Sequence, residues 1–167
     1  LVHVDASKPA AMKTQRILGP ASPDFTYLSG AEGFGRCDHL TVDGDIVYVT
    51  HQSDAFVRPS FVAAYRIDSK DTEPIFLHTD TERVFGGIGA HGQTLYVAEA
   101  HQGLGLYVRD GTKLTRTGTL KGLNQAYDVA RMGNLLYVAS GRDGLAVIDI
   151  TPGQRPEIVS HIPEAKG

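Results

Sequence analysis

Residues 40–50 read Leu-Thr-Val-Asp-Gly-Asp-Ile-Val-Tyr-Val-Thr, two short runs rich in β-branched residues that meet at Asp43 and Gly44. An Asp-Gly pair between alternating apolar runs is typical of a two-residue hairpin turn, because a type I′ turn requires positive φ at both central residues. The stretch therefore predicts two antiparallel strands joined by a tight turn.

The same pattern occurs twice more in the chain, as Ile-Gly-Ala-His-Gly-Gln-Thr-Leu-Tyr-Val-Ala at 88–98 and as Val-Ala-Arg-Met-Gly-Asn-Leu-Leu-Tyr-Val-Ala at 129–139. The turn glycines Gly44, Gly92 and Gly133 lie 48 and 41 residues apart, a spacing that is typical of repeat architectures such as propellers and solenoids. The alignment also predicts that the tyrosines four residues after these glycines occupy equivalent positions in the second strand of each unit.

Each unit continues with two further strands. The third strand falls within 61–68, 103–110 and 144–150, and the fourth is expected at 73–79, 113–120 and 157–162. Four short strands without an intervening helical pattern indicate a propeller blade, whereas helical repeats would show a 3.6-residue period. An ordinary β-sandwich is the alternative, and three aligned copies of a two-part pattern argue against it.

The chain is therefore expected to be all-β, a partial β-propeller of four-stranded antiparallel blades. We expect one propeller segment over 1–167, with an outer half-blade at 1–18 and blades at 37–82, 84–121 and 125–163. This amounts to about three and a half blades, fewer than the four to eight of closed propellers. We expect missing sequence or a second chain to complete the ring.

Composition narrows the classes of partner. The 167 residues carry 16 Lys and Arg against 19 Asp and Glu, a net charge of −3 that argues against nucleic-acid binding. No apolar run approaches the ~18–20 residues of a membrane-spanning helix. A single cysteine excludes an internal disulfide.

Two stretches resemble the LVIVD repeat, which is named for its Leu-Val-Ile-Val-Asp strand. They are Leu-Val-His-Val-Asp at 1–5 and Gly-Leu-Ala-Val-Ile-Asp-Ile-Thr-Pro at 144–152, the second preceded by Ala-Tyr-Asp-Val at 126–129 and Leu-Tyr-Val-Ala-Ser-Gly at 136–141. The middle blades depart from this pattern. The resemblance implies a secreted, periplasmic or cell-surface propeller and implies no particular reaction.

Candidate binding residues are placed by topology. The loops into the first strand and the loops between the second and third strands leave a blade on the same side, at the mouth of the central channel. Polar residues in these segments are the candidates for ligand binding, because loops on a rigid scaffold often carry function: His39, His51, Asp54, Glu99, His101, Asp128, Arg142 and Asp143.

Two interpretations of this face stay open. The first is a non-enzymatic secreted or surface propeller that binds protein partners and needs no cofactor. The alternative is a metal-binding or enzymatic propeller, with a transition-metal ion held at the mouth by His39, His51 and His101, since imidazole suits such ions. Whether the protein is an enzyme is undecided, although no catalytic residue is assigned and no recognised ligand spacing or nucleotide-binding motif is present.

Overall fold

The computed structural model describes residues 2–5, 13–17, 37–52, 59–67 and 73–163. These ranges contain β-strands and one turn of 3-10 helix, at Gly141–Asp143. Within them, no helix is long and apolar enough to cross a membrane.

Twelve of the described strands form three four-stranded antiparallel sheets, each built from strands that are consecutive in sequence. Sheet 1 contains β3 (His39–Asp43), β4 (Ile46–His51), β5 (Ser60–Arg66) and β6 (Phe76–Asp80). Sheet 2 contains β7 (Ile88–His91), β8 (Thr94–Ala98), β9 (Leu104–Asp110) and β10 (Lys113–Thr119). Sheet 3 contains β11 (Asp128–Met132), β12 (Leu135–Ala139), β13 (Leu145–Asp149) and β14 (Glu157–Ile162). The strands β1 (Val2–Asp5) and β2 (Lys13–Ile17) pair with each other, also antiparallel.

The fold class is confirmed: the chain is all-β, and its three four-stranded sheets are those of a partial β-propeller. The predicted tyrosine register is also confirmed. Tyr48, Tyr96 and Tyr137 lie in the second strand of their sheets and pair with the residue three before the turn glycine in each case. The turn glycines have φ values of 62°, 61° and 60°. The expectation of a type I′ turn at Asp43 and Gly44 is wrong, because Asp43 does not have a positive φ. The turn residues are Gly44 and Asp45, and glycine at the first central position is typical of a type II′ turn.

The fourth strands of sheets 2 and 3 lie where they were expected, but the prediction of 73–79 for sheet 1 is wrong by three residues at its start. The ladder begins at Phe76, because Pro74 has no N–H to donate. His39 and His51, expected in loops, are the first residue of β3 and the last of β4.

The sheets pack face to face in chain order. We call the side of a sheet that faces the preceding sheet its leading face, and the side that faces the following sheet its trailing face. One apolar cluster joins the trailing face of sheet 1 to the leading face of sheet 2, and a second joins sheet 2 to sheet 3 in the same way. A third cluster lies on the leading face of sheet 1, around Val49, Phe61 and Tyr65.

The first strands of the three sheets lie side by side, with β7 between β3 and β11. At the end of these strands that carries the hairpin turns, the Arg131 guanidinium of sheet 3 donates hydrogen bonds to Asp43 Oδ1 of sheet 1 (2.8 Å) and to the Ala90 carbonyl of sheet 2 (3.1 Å). The Gly92 amide donates to the other carboxylate oxygen of Asp43 at 2.7 Å. One carboxylate and one guanidinium therefore join all three sheets.

Candidate functional site

The opposite end of the sheets, where each first strand begins and each second strand ends, is the end that the topology singles out. We call it the mouth end. His39 opens β3 opposite Thr50, the penultimate residue of β4, and Asp128 opens β11 opposite Ala139, the last residue of β12. Glu99, His101, Arg142 and Asp143 follow second strands at the same end, and Asp54 lies outside the described residues.

Hydrogen bonds to backbone carbonyls connect the three sheets at the mouth end and form a rim. Thr50 Oγ1 of sheet 1 donates to the Gly86 carbonyl at 2.6 Å, and the Gly87 amide donates to the Tyr127 carbonyl at 3.0 Å. The Ala126 amide donates to the Ala100 carbonyl at 2.9 Å, closing a bridge between the segments that follow β8 and precede β11. The side chains of the rim are therefore held by backbone that is fixed between neighbouring sheets.

His39 and Asp128 meet across this rim. His39 Nδ1 lies 3.4 Å from Asp128 Oδ1, so a histidine of sheet 1 reaches a carboxylate of sheet 3 past the start of sheet 2. Asp128 Oδ1 also accepts the Val129 amide at 2.9 Å. The approach is possible because residue 87 is glycine: a Cβ there would overlap the Asp128 carboxylate and lie 2.5 Å from the Val129 nitrogen.

His51 lies in the interior of its sheet. Its ring stacks on Phe61 with centroids 5.2 Å apart, and its side chain is 5% exposed. Nδ1 lies 3.1 Å from Asp38 Oδ2, which also accepts the Gln52 amide at 2.9 Å. Nε2 is buried and has no hydrogen-bond partner in the described part of the chain. His51 therefore belongs to the leading face of sheet 1.

Glu99 is fully buried, and residues of its own sheet donate hydrogen bonds to both of its carboxylate oxygens. Tyr107 Oη donates to Oε1 at 2.6 Å, and Arg116 donates through Nε to Oε1 (3.0 Å) and through Nη2 to Oε2 (2.8 Å). Arg83, which follows sheet 1, lies 3.8 Å away. Burial raises the pKa of Tyr107, and its hydrogen bond to Glu99 raises that pKa further. Buried charges need such partners, so Glu99 has a structural role here.

The repeat explains why these positions are polar. His51, Glu99 and Ser140 each lie seven residues after their turn glycine, and they are 4%, 1% and 0% exposed. All three fall at the end of a second strand, on its leading side. The aligned position, seven residues after the turn glycine, could have identified Ser140 as a buried polar residue. Its Oγ has no hydrogen-bond partner among the described residues. Nothing in the sequence pointed to Asp38 or Arg116 as partners.

The other candidates lie nearer to solvent. His101 is exposed, with Nδ1 3.5 Å from Gln125 Nε2 and its ring edge-on to Tyr127 at 6.1 Å. Arg142 and Asp143 are exposed in the 3-10 turn. Cys37, just before β3, is an exposed free thiol.

The positions of His39, His51 and His101 give no support to the metal hypothesis. His39 contacts Asp128, His51 contacts Asp38 and His101 contacts Gln125, so each predicted ligand has a neighbour of its own. In the described ranges, no group of three or more His, Cys, Asp or Glu side chains is arranged to hold a metal ion. A metal at the mouth end stays a prediction.

Comparison with known protein families identifies one repeat in the chain. The family model for the LVIVD repeat matches residues 124–156, which run from the segment before β11 to the loop before β14. No curated protein matches the chain. The match includes the stretch at 144–152 that resembled this repeat and does not include the one at 1–5, and the matched residues build most of sheet 3. Residues 124–156 of the chain therefore contain an LVIVD repeat.

Proposed function

We propose that the protein is a non-catalytic assembly module that binds other protein chains through the trailing face of sheet 3. The blades at 37–82, 84–121 and 125–163 are the units of this assembly. One observation carries the proposal: three tyrosines in the same register differ in their burial.

Tyr48 is 1% exposed and Tyr96 is 4% exposed, because the next sheet packs over each of them. Tyr137 occupies the equivalent position on the trailing face of sheet 3 and is only half-buried. Sheet 3 is the last sheet in the described ranges, so no described sheet follows it, although Val147 in the middle of this face is 8% exposed. Each of the three sheets has a trailing face, and the described sheets pack against two of these faces. The trailing face of sheet 3 is the third.

The chemistry of this face supports a protein partner. Along with Tyr137 it carries Leu135 and Leu145, which are half-buried, and Met132 and Ile162, which are 66% and 52% exposed. Contiguous exposed apolar side chains on a soluble protein mark interaction surfaces. A flat sheet face with this pattern suits another sheet.

The partner we propose is a second copy of this chain, joined head to tail. At the other end of the array, β3 exposes Leu40 (56%) and Val42 (51%) on the leading face of sheet 1. Within the chain, leading faces pack on trailing faces at both sheet–sheet contacts. Val49, Phe61 and Tyr65 on this leading face are already buried, so the contact uses Leu40 and Val42 of β3 and the trailing face of sheet 3, two different surfaces that make it heterologous.

Sedimentation velocity over a range of concentrations tests the proposal. We expect the chain to self-associate, and we expect Met132→Asp to shift the equilibrium to monomer by at least about tenfold, because a carboxylate would have to be buried in the contact. Val108→Asp is the matched control, since Val108 is an exposed strand valine of sheet 2 (37%) outside this face. A chain that stays monomeric, or a Met132→Asp variant that associates like the control, would contradict the proposal.

An extracellular, periplasmic or cell-surface location is part of the proposal. It is supported by the family resemblance alone. Fractionation of cells that express the complete gene, followed by immunodetection, tests it, and recovery of the protein only from the cytoplasm would contradict it.

A further inference from the structure

A groove lies between sheets 2 and 3 on the side of their outer strands. A cavity of about 560 Å³ is lined by residues of β10 and of the start of β14, and a second of about 440 Å³ adjoins it and extends toward the turn between β7 and β8. The two cavities share Leu106, Thr117 and Pro156, so they form one elongated depression. The size is in the range of ligand sites, roughly 300–1,000 Å³.

The groove lies where the repeat changes two residues of one cross-strand row, with Leu106 in the place of Ala64 and Gly118 in the place of Phe76. Across sheet 1, Tyr48 pairs with Ala64 and Ala64 pairs with Phe76, and Phe76 fills the space between sheets 1 and 2. The equivalent row in sheet 2 is Tyr96, Leu106 and Gly118.

Phe76 is 5% exposed, whereas a Cβ built at Gly118 would have no heavy atom within 4 Å. A β-bulge between Arg116 and Gly118 also widens the strand here. Glycine at 118 therefore leaves open the space that an aromatic ring occupies one sheet earlier, and Leu106 at its floor is only half-buried.

The lining is mixed in polarity. Leu106, Leu120, Pro156 and Ile158 are apolar, and β10 adds Thr117 and Thr119, whose hydroxyls are hydrogen-bonded to the Leu106 carbonyl and to Arg116. Sites for compact small molecules are predominantly apolar and enclose the ligand. A long, open groove with an apolar floor suits an extended peptide, whose side chains alternate between groove and solvent.

The charges of the groove are mainly positive. Lys121 and Arg155 line it together with Glu157, and in the described ranges neither cation forms an ion pair or a side-chain hydrogen bond. The chain as a whole carries a net charge of −3, so two unpaired cations in one groove are a local excess. Arginine and lysine at such positions attract carboxylates.

We propose that this groove binds an extended acidic peptide segment. Apolar side chains of the peptide lie on Leu106 and Ile158, and its carboxylates pair with Lys121 and Arg155. The site is distinct from the trailing face of sheet 3, and its occupation does not depend on self-association.

Calorimetric titration of the full chain tests the proposal, with the capped pentapeptide Leu-Glu-Leu-Glu-Leu as the probe and Leu-Lys-Leu-Lys-Leu as its basic counterpart. We expect saturable binding of the acidic peptide and at least tenfold weaker binding of the basic one. Gly118→Phe should weaken binding of the acidic peptide at least tenfold, because it fills the groove as Phe76 fills the preceding one. Circular dichroism establishes that this variant is folded.

A double variant, Lys121→Glu with Arg155→Glu, should weaken binding to a similar extent without occupying the groove, so the test does not depend on Gly118→Phe. Lys113→Glu is the matched control, because Lys113 lies on the same strand outside the groove and is exposed. Three results would overturn the proposal: no binding of the acidic peptide, equal binding by the groove variants, or binding of succinate as tight as that of the peptide.

Discussion

Single residues decide how closely the sheets approach one another. Between sheets 2 and 3, Gly86 and Gly87 place bare backbone against Tyr127 and Asp128, and at both positions a Cβ would overlap backbone atoms of the neighbouring sheet. Backbone cannot move aside as the end of a flexible side chain can. These two glycines are therefore fixed by packing rather than by turn geometry, since neither has a positive φ.

We expect Gly87→Ala to destabilise the protein by about 2 kcal/mol or more, because overpacking at a rigid contact forces the sheets apart. Gly118→Ala is the matched control, since its methyl group enters open space and its φ is not positive. Urea unfolding followed by circular dichroism measures both variants. Equal midpoints for the two would show that the contact at Gly87 adapts without cost.

At the level of the element, the fourth strands differ most between the sheets. In sheet 1, His78 of β6 lies between two aromatic rings of the next sheet, with ring centroids 6.4 Å from Phe85 and 5.8 Å from Tyr107. Burial lowers the pKa of His78, and Arg83 lowers it further, although Asp80 opposes both. This histidine is part of the packing between sheets 1 and 2.

The lowered pKa of His78 predicts a pH dependence. The unfolded chain takes up the proton near pH 6.5, and the folded chain only at lower pH, so stability falls as pH decreases below about 6.5. His78→Phe should make the loss of unfolding free energy between pH 7.5 and 5.5 smaller than in the parent protein.

His161→Phe is the matched control for this measurement, because His161 is an exposed histidine of β14, the corresponding strand of sheet 3. It should leave the pH dependence of the urea midpoint as it is in the parent protein. If His78→Phe behaves in the same way, His78 is not protonated preferentially in the unfolded chain.

Over the whole molecule, sheets 1 and 3 are coupled directly although sheet 2 lies between them. Repeat proteins usually couple only neighbouring units. Here Arg131 of sheet 3 reaches Asp43 of sheet 1, and both side chains are about three-quarters buried, with 24% and 22% exposed. His39 and Asp128 make a second such contact at the mouth end.

A double-mutant cycle with Arg131→Met and Asp43→Asn measures the first contact. We expect a coupling free energy of roughly 0.5–1.5 kcal/mol, because the pair is partly desolvated. Asparagine keeps an acceptor for the Gly92 amide, so the cycle isolates the charge pair. Arg66 and Asp45, an exposed pair at 2.6 Å within sheet 1, form the reference cycle. A coupling no larger than that of the reference pair would contradict the bridging role.

The fold was predictable from the sequence because it depends on short-range signals. A turn glycine followed four residues later by tyrosine sets the register of each hairpin, and the repeat multiplies that signal three times. The partners within the candidate site were not predictable. Glu99 is satisfied by Arg116, 17 residues away, and His39 meets Asp128, 89 residues away, and no local pattern encodes such pairs. Gly118 indicates a groove only when it is compared with Phe76 at the equivalent position of sheet 1, and that equivalence requires knowledge of the strand pairing.

The two contacts between sheets 1 and 3 restrict how this array can be rearranged by gene duplication. A unit inserted between these sheets would move Arg131 from Asp43, and Asp128 from His39, by about the thickness of one more sheet, ~10 Å. Neither side chain spans that distance. A unit inserted between these sheets would therefore break both contacts, whereas a unit added outside them would leave both in place.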